Sequence, residues 1–243
     1  MYILLNSSKT MTSGSGKGSE PIFLSDAKYV VDNILFSNYF EGQGLSGKIL
    51  REVRNFYSNW SIENHDESAE AIRSFTGTMF STLTKHSFDI KEAGKRVFIL
   101  SALYGILRAS DCILPYRLDL NDKLKIDGKS LLSFWKTKIR NYIINELSDA
   151  ETILNLTSSE YGIMLPKEIV NRIVTPKFLI LKNGKYSLIS TFSKQARGEL
   201  TGLILSRNIH EVKNIESLKF NGFEYSKEFS KENEPVFVKK IFT

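Results

Sequence analysis

Two patterns of apolar residues alternate along the chain. Residues 2–5, 97–100 and 152–156 are short, nearly unbroken apolar runs, as expected of strands covered on both faces. Between and after them, apolar residues recur at helical spacing. Ala27, Val30, Val31, Ile34 and Leu35 form one stripe behind Ser25 as N-cap, ending near Phe40, and Ile49, Leu50, Val53, Phe56 and Tyr57 form a second behind Ser46. Ala69, Ile72, Phe75, Met79, Phe80 and Leu83 give a third, interrupted by Gly77, which costs a helix about 1 kcal/mol and predicts two pieces around a turn. After the Asp127-Gly128-Lys129 turn, Ser130 caps a stripe of Leu131, Leu132, Trp135, Ile139, Tyr142, Ile143 and Leu147. The last helix is read over SKQARGELTGLILSRNI with Ser193 as its N-cap.

Residues 173–181 and 186–191 flank Asn183-Gly184, the strongest two-residue hairpin signal, so antiparallel pairing joins the parallel strands. Residues 220–225 and an edge strand over 236–241 close the chain. The prediction is a mixed α/β (α+β) fold: one domain over residues 1–243, with a mixed parallel and antiparallel sheet surrounded by helices.

In open α/β sheets, ligands bind beyond the carboxyl ends of strands, so the residues there are the candidates. Residues 97–100 run into Ser101 and a Tyr104-Gly105 break, followed by Tyr116, Arg117 and Asp119, with Pro115 fixing the approach. Residues 2–5 run into Asn6, Ser7, Ser8, Lys9 and Thr10, whose hydroxyls, backbone N–H groups and ammonium suit a phosphate or carboxylate. Residues 152–156 run into Thr157, Ser158, Ser159, Glu160 and Tyr161, where Glu160 could serve as acid or base if buried. Lys194 and Arg197, placed in the first turns of their helix, oppose its dipole and are better explained by an anion. The plainer alternative is a solvated Arg117–Asp119 pair and a Tyr104 at the edge of the core.

Composition narrows the field modestly. At 243 residues and 42% hydrophobic, the chain can bury a real core, and its net charge of +6 favours polyanionic partners. No apolar run reaches membrane-span length, and the N-terminus lacks a basic segment and signal-length apolar stretch, so a cytoplasmic protein is expected. Residues 14–19 invite a P-loop reading, but Met11 stands where its first glycine belongs and Gly18 where its Ser or Thr belongs; a flexible surface loop is expected instead. The single cysteine, Cys112, is read as packing, and His65 and His86 as isolated surface residues. With three scattered histidines and one cysteine, no metal site and no cofactor are expected.

Gly42 and Gly44 lie between the first two helical stripes, an outline shared with helix-hairpin-helix modules, where a glycine turn approaches a DNA phosphate. Residues 25–58 would form that element, with Lys48, Arg51 and Arg54 adding charge; the alternative is a plain αα-hairpin.

SSKTM near the N-terminus, LSALYGILRASD with PYRLDL, Phe134-Trp135, NLTSSEY and SKQARGEL together resemble, in order, the signature blocks of the YaaA family of peroxide-stress proteins (UPF0246). The resemblance covers nearly the whole chain. It implies a single-domain α/β protein with a helix-hairpin-helix element and a basic cleft, which binds double-stranded DNA and limits oxidative damage by keeping free iron low. The matching positions are Lys9, Thr10, Ser101, Tyr104, Gly105, Arg108, Tyr116, Arg117, Asn155, Ser158, Glu160, Tyr161, Lys194, Arg197 and Gly198. Three blocks depart: Asn6-Ser7-Ser8-Lys9-Thr10 replaces Ser-Pro-Ala-Lys-Thr, Arg108-Ala109-Ser110-Asp111 replaces Arg-Pro-Leu-Asp, and Gly222-Phe223 replaces Gly-Tyr.

Two functions fit these residues. One is the DNA-binding stress protein that the resemblance implies. The other is an enzyme acting on a nucleotide or other phosphorylated small molecule, for instance at a glycosidic bond, with Glu160, Asp119 and Tyr161 in the chemistry. Ser7, Lys9, Thr10, Ser101, Tyr104, Tyr116, Arg117, Asn155, Ser158, Lys194 and Arg197 would then hold the ligand.

Overall fold

The computed structural model describes residues 1–37, 39–42, 44–61 and 68–241. A five-stranded sheet is built around the first strand, β1 (Tyr2–Asn6). On one side lies β2 (Val97–Ser101), parallel to it with Ile3 opposite Val97, and outside β2 runs the antiparallel β3 (Gly105–Arg108). On the other side lies β4 (Ile153–Asn155), with Ile3 opposite Leu154, followed by the parallel β5 (Ile173–Val174). Ile3, Leu4 and Leu5 are buried, as is all of β2, which is why these strands read as continuous apolar runs.

A second sheet has four strands. They are β6 (Lys177–Lys182), β7 (Lys185–Leu188), β8 (Phe223–Tyr225) and β9 (Val236–Ile241), in the spatial order β7-β6-β9-β8. Asn183 and Gly184 take positive φ angles of 50° and 73°, the turn geometry that Asn-Gly predicts. Mixed pairing therefore holds for the fold, divided between two sheets. β9 is an interior strand, parallel to β6 and antiparallel to β8, and not the edge expected from its lysines.

The principal helices are α1 (Leu24–Phe36), α2 (Gly47–Ser58), α3 (Thr78–Leu83), α4 (Ile90–Arg96), α5 (Leu131–Glu146), α6 (Ser159–Gly162) and α7 (Ser190–Ser206). Ser130 caps α5 as expected, accepting from the Ser133 N–H at 3.2 Å. Two caps fall elsewhere. α1 begins behind Phe23, so Ser25 sits inside its first turn, and α7 begins behind Ile189, so Ser193 is an interior residue whose hydroxyl donates to the Ile189 carbonyl. The stretch around Gly77 breaks as its glycine suggests, into a helical turn over Ala71–Ser74 and α3.

The Tyr104-Gly105 break is a hairpin that returns the chain as β3. Gly105 has φ +72°, and a Cβ there would lie 2.6 Å from the Trp135 ring, so only glycine fits. Trp135 fixes the turn by donating to the Ala102 carbonyl at 2.8 Å.

The glycine-rich residues 14–19 are strapped down rather than free. Gly16 N–H donates to Ser68, Ser19 N–H donates to Ser110, and Cys112 N–H donates to Ser19, all through backbone carbonyls. Asp111, fully buried, holds the far end of this strap: it accepts from the Ser19 hydroxyl at 2.7 Å and the Arg108 N–H at 2.8 Å. Ring packing corrects the reading of His86 as a surface residue, since a Cβ on Gly202 would meet the imidazole at 2.3 Å and its Nε2 lies 3.1 Å from Glu199. His65 lies outside the described residues.

Burial raises the Asp111 carboxyl to about 6, although donors from Ser19 and Arg108 oppose the shift. The folded state therefore retains a proton that the unfolded chain has released. This contribution is fully present below about pH 4 and is lost as the pH rises through 6, on the order of 1–3 kcal/mol. In urea titrations, the stability advantage of wild type over Asp111→Asn should be larger at pH 5 than at pH 7.5; an advantage that grows with pH would mean the carboxylate is the preferred buried form.

Candidate functional site

β1 is where the chain order of the sheet reverses. From β1 the chain builds outward to β2 and β3, then crosses back to place β4 on β1's other flank, leaving a crevice beyond the carboxyl ends of β1 and β4. Two hydrogen bonds hold its lips together: Leu156 N–H to the Leu4 carbonyl at 2.9 Å and Ser158 N–H to the Asn6 side-chain oxygen at 2.8 Å. The crevice is a cleft of about 520 Å³.

Five chain segments line the cleft. Ser7, Lys9 and Thr10 follow β1; Asp119 arrives from the long connection after β3; Ser158, Glu160 and Tyr161 follow β4. Lys194 and Arg197 reach in from α7, and Gly77 and Thr78 close the side at the start of α3. Gly77 permits this approach, since a Cβ there would stand 2.7 Å from the Ser8 Cβ, while its N–H donates to the Ser8 hydroxyl at 3.1 Å.

The charged groups are not equivalent. Lys9 Nζ lies 2.8 Å from Asp119 Oδ2. Burial pushes the Asp119 carboxyl up, but the Lys9 ammonium and backbone N–H groups of Asn121 and Leu120 outweigh it and hold the carboxyl below its ordinary range. Asp119 is thus an ionised carboxylate, suited to accept a proton or to face developing positive charge. Glu160 is exposed at the rim, so the burial on which its acid–base role was conditioned is lacking.

Among the described residues no carboxylate pairs with Arg197, whose guanidinium pKa is lowered by burial. Because α7 starts at Ser190, Lys194 and Arg197 lie in its second and third turns, and the argument from an opposed helix dipole does not apply to them.

Tyr161 is held by the Ser7 hydroxyl, whose Oγ lies 3.2 Å from its Oη, while Tyr116 Oη lies 2.7 Å from Ser101 Oγ. Burial pushes the Tyr116 phenol up to about 12 and Tyr161 well above its ordinary value, so both are neutral donors at physiological pH.

Ser101, Tyr104 and Tyr116 do not line the cleft as expected. The return strand β3 and the segment carrying Tyr116 cover the end of β2, so all three are buried in a polar and aromatic cluster. Ser101 accepts from the Tyr104 N–H at 2.9 Å, and Tyr104 Oη accepts from Trp60 Nε1 at 2.9 Å. Asn155 also turns away, donating to Thr175 and accepting from Thr157. Arg117 lines an adjoining cavity of about 200 Å³ that shares Lys9 and Asp119 with the cleft.

Between α1 and α2 lies a 3₁₀ turn over Tyr39–Gly42, an arrangement that a plain αα-hairpin shares with a helix-hairpin-helix element. Gly44 has φ +60° and open space around it, and Lys48 and Arg51 are exposed on α2, lining none of the cleft. Gln43 lies outside the described residues. Thr78 and Ser190 line the cleft without a signal in the sequence, as does Gly77, which the sequence marks only as a helix break, while Asn6 belongs to the candidate stretch after the first apolar run.

The sequence model for "Peroxide stress protein YaaA" matches residues 1–229. The chain belongs to this family. A UPF0246 protein of Shewanella sp. strain MR-4 is 37% identical over 189 residues, covering 75% of this chain and 72% of the relative. UPF0246 proteins of Colwellia psychrerythraea and Marinomonas sp. strain MWYL1 are 33% and 30% identical, covering 92% and 98% of this chain and 91% and 97% of theirs. Residues 7–10, 155–161 and 194–198, which resemble the family's signature blocks, form the walls and backing of the cleft, whereas the block containing Ser101 and Tyr104 is buried away from it.

Gly198 sets the position of α7. A Cβ there would lie 2.1 Å from the Met79 carbonyl oxygen, so Gly198→Ala must push α7 off α3, costing about 1–3 kcal/mol in thermal or urea unfolding. Ser7→Ala removes the partner of the Tyr161 phenol and should cost about 1 kcal/mol by the same measurement; no loss would mean that Tyr161 finds another partner.

Proposed function

We propose that this peroxide-stress family protein works in the cytoplasm through the cleft between β1 and β4, which takes a nucleotide or other phosphorylated small molecule and acts on it. The observation that carries this reading is the convergence of Lys9, Asp119, Glu160, Tyr161, Lys194 and Arg197 on one cleft at the topological switch point. A site that merely gripped phosphate would need only the cations. Here an ionised carboxylate, a neutral phenol and a rim carboxylate accompany them, the groups required for proton transfer at a bond next to the anion. Cleavage or transfer at a glycosidic bond fits, with Asp119 facing the positive charge that develops on the sugar and Tyr161 donating a hydrogen bond. Glu160, open to solvent at the rim, has the lesser part, relaying the leaving group's proton through water at the mouth of the cleft.

Turnover assays over nucleosides and nucleotides test the proposal. Asp119→Asn should lower kcat by about 100-fold or more, and Glu160→Gln by about 10- to 100-fold. If no compound is consumed, or both variants match wild type, the cleft is not catalytic.

DNA binding rests on a different surface. Gly44 is unobstructed, and Lys48, Arg51 and Arg54 are exposed on α2. Binding there would weaken steeply with salt, by a slope of about 0.9 per phosphate neutralised, and a Lys48→Gln, Arg51→Gln double variant should lower that slope by about 2. Salt-independent affinity, or an unchanged slope, would remove DNA as the partner of this surface.

A further inference from the structure

A smaller cavity of about 210 Å³, the rear cavity, adjoins the cleft and shares Ser158, Ser159 and Arg197 with it. We propose that this rear cavity is the phosphate seat of the ligand, with Arg197 as its anchor, and that the organic part of the ligand occupies the cleft in front. The assignment rests on the reading above, that the cleft takes a phosphorylated small molecule, and adds its orientation.

The distribution of paired and unpaired groups supports it. In the front cleft Lys9 is already matched by Asp119 at 2.8 Å, and Glu160 adds a second carboxylate. The rear cavity has no carboxylate among its lining residues. Its other cation, Lys177, is engaged by Glu234 at 2.6 Å, which leaves the Arg197 guanidinium as the cation there without an ion pair among the described residues. The Ser158 and Ser159 hydroxyls on the same wall likewise make no side-chain hydrogen bond among the described residues. A half-buried guanidinium left uncompensated is costly, and a phosphate offers the oxygen fork that guanidinium matches in two parallel hydrogen bonds, with a further oxygen for the hydroxyls. Lys194 is exposed at the mouth, where it can draw an anion in without fixing its position.

The test is calorimetric titration of the full chain with the four ribonucleoside 5′-monophosphates, the matching nucleosides and inorganic phosphate. At least one monophosphate should bind about ten-fold or more tightly than its nucleoside, and inorganic phosphate should compete with it. Arg197→Met should erase that advantage and the competition. Arg197→Lys, which keeps the charge and loses the fork, should fall between the two, and serves where the methionine variant folds poorly. If the advantage survives Arg197→Met but is lost in Lys194→Met, the phosphate sits at the mouth: the orientation is wrong and the cleft reading stands. If wild type binds neither nucleosides nor monophosphates, the cleft reading fails and this assignment falls with it.

Discussion

Ile3 lies opposite Val97 on one side and Leu154 on the other, so the first strand of the chain is also the middle of its parallel sheet. This double pairing determines what the cleft contains. Because β2 and β4 flank the same strand, the residue runs after β1 and β4 leave the sheet side by side, and Lys9 and Glu160, 151 positions apart in sequence, line one space. The bond from Ser158 N–H to Asn6 ties the two exits together at the point where they diverge. A change in register of one residue would reverse the faces of β1 and withdraw Ser7 from Tyr161.

The rest of the fold serves to keep that exit open and supported. α7 lies against α3 at glycine contact distance, which brings Arg197, without an ion pair among the described residues, to the wall of the cleft. Away from it, the end of β2 is closed by the Trp135-packed hairpin and by the Tyr104–Tyr116 ring contact at 5.6 Å, so polar groups at that strand end are spent on one another. In the cleft itself, the Ser7 hydroxyl orients the buried Tyr161 phenol.

Much of this was legible in the sequence because local signals and tertiary demands agree. The uninterrupted apolar runs are strands buried on both faces, Asn183-Gly184 is a hairpin turn, and the residues after the first and third runs meet at the cleft. The misreadings arise where partners are distant in sequence. Ser101 and Tyr104 occupy a strand end like the others, but the sequence does not show that β3 folds back over them. Val236–Ile241 carries lysines typical of an edge, yet its flanks are covered by β6 and β8. Ser193 suits a helix terminus as well as Ser190 does, and the true N-cap of α7, four residues earlier at Ile189, has no side-chain cap to mark it.

The central claim is that one cleft at the β1–β4 exit is the anion site of this protein. Crystals soaked in tungstate, a heavy-atom stand-in for phosphate, test it through an anomalous difference map. The account predicts the strongest peak at the Arg197 guanidinium, in contact with the Ser158–Ser159 wall. A strongest peak on the exposed cations of α2, with none in the cleft or the rear cavity, would contradict it.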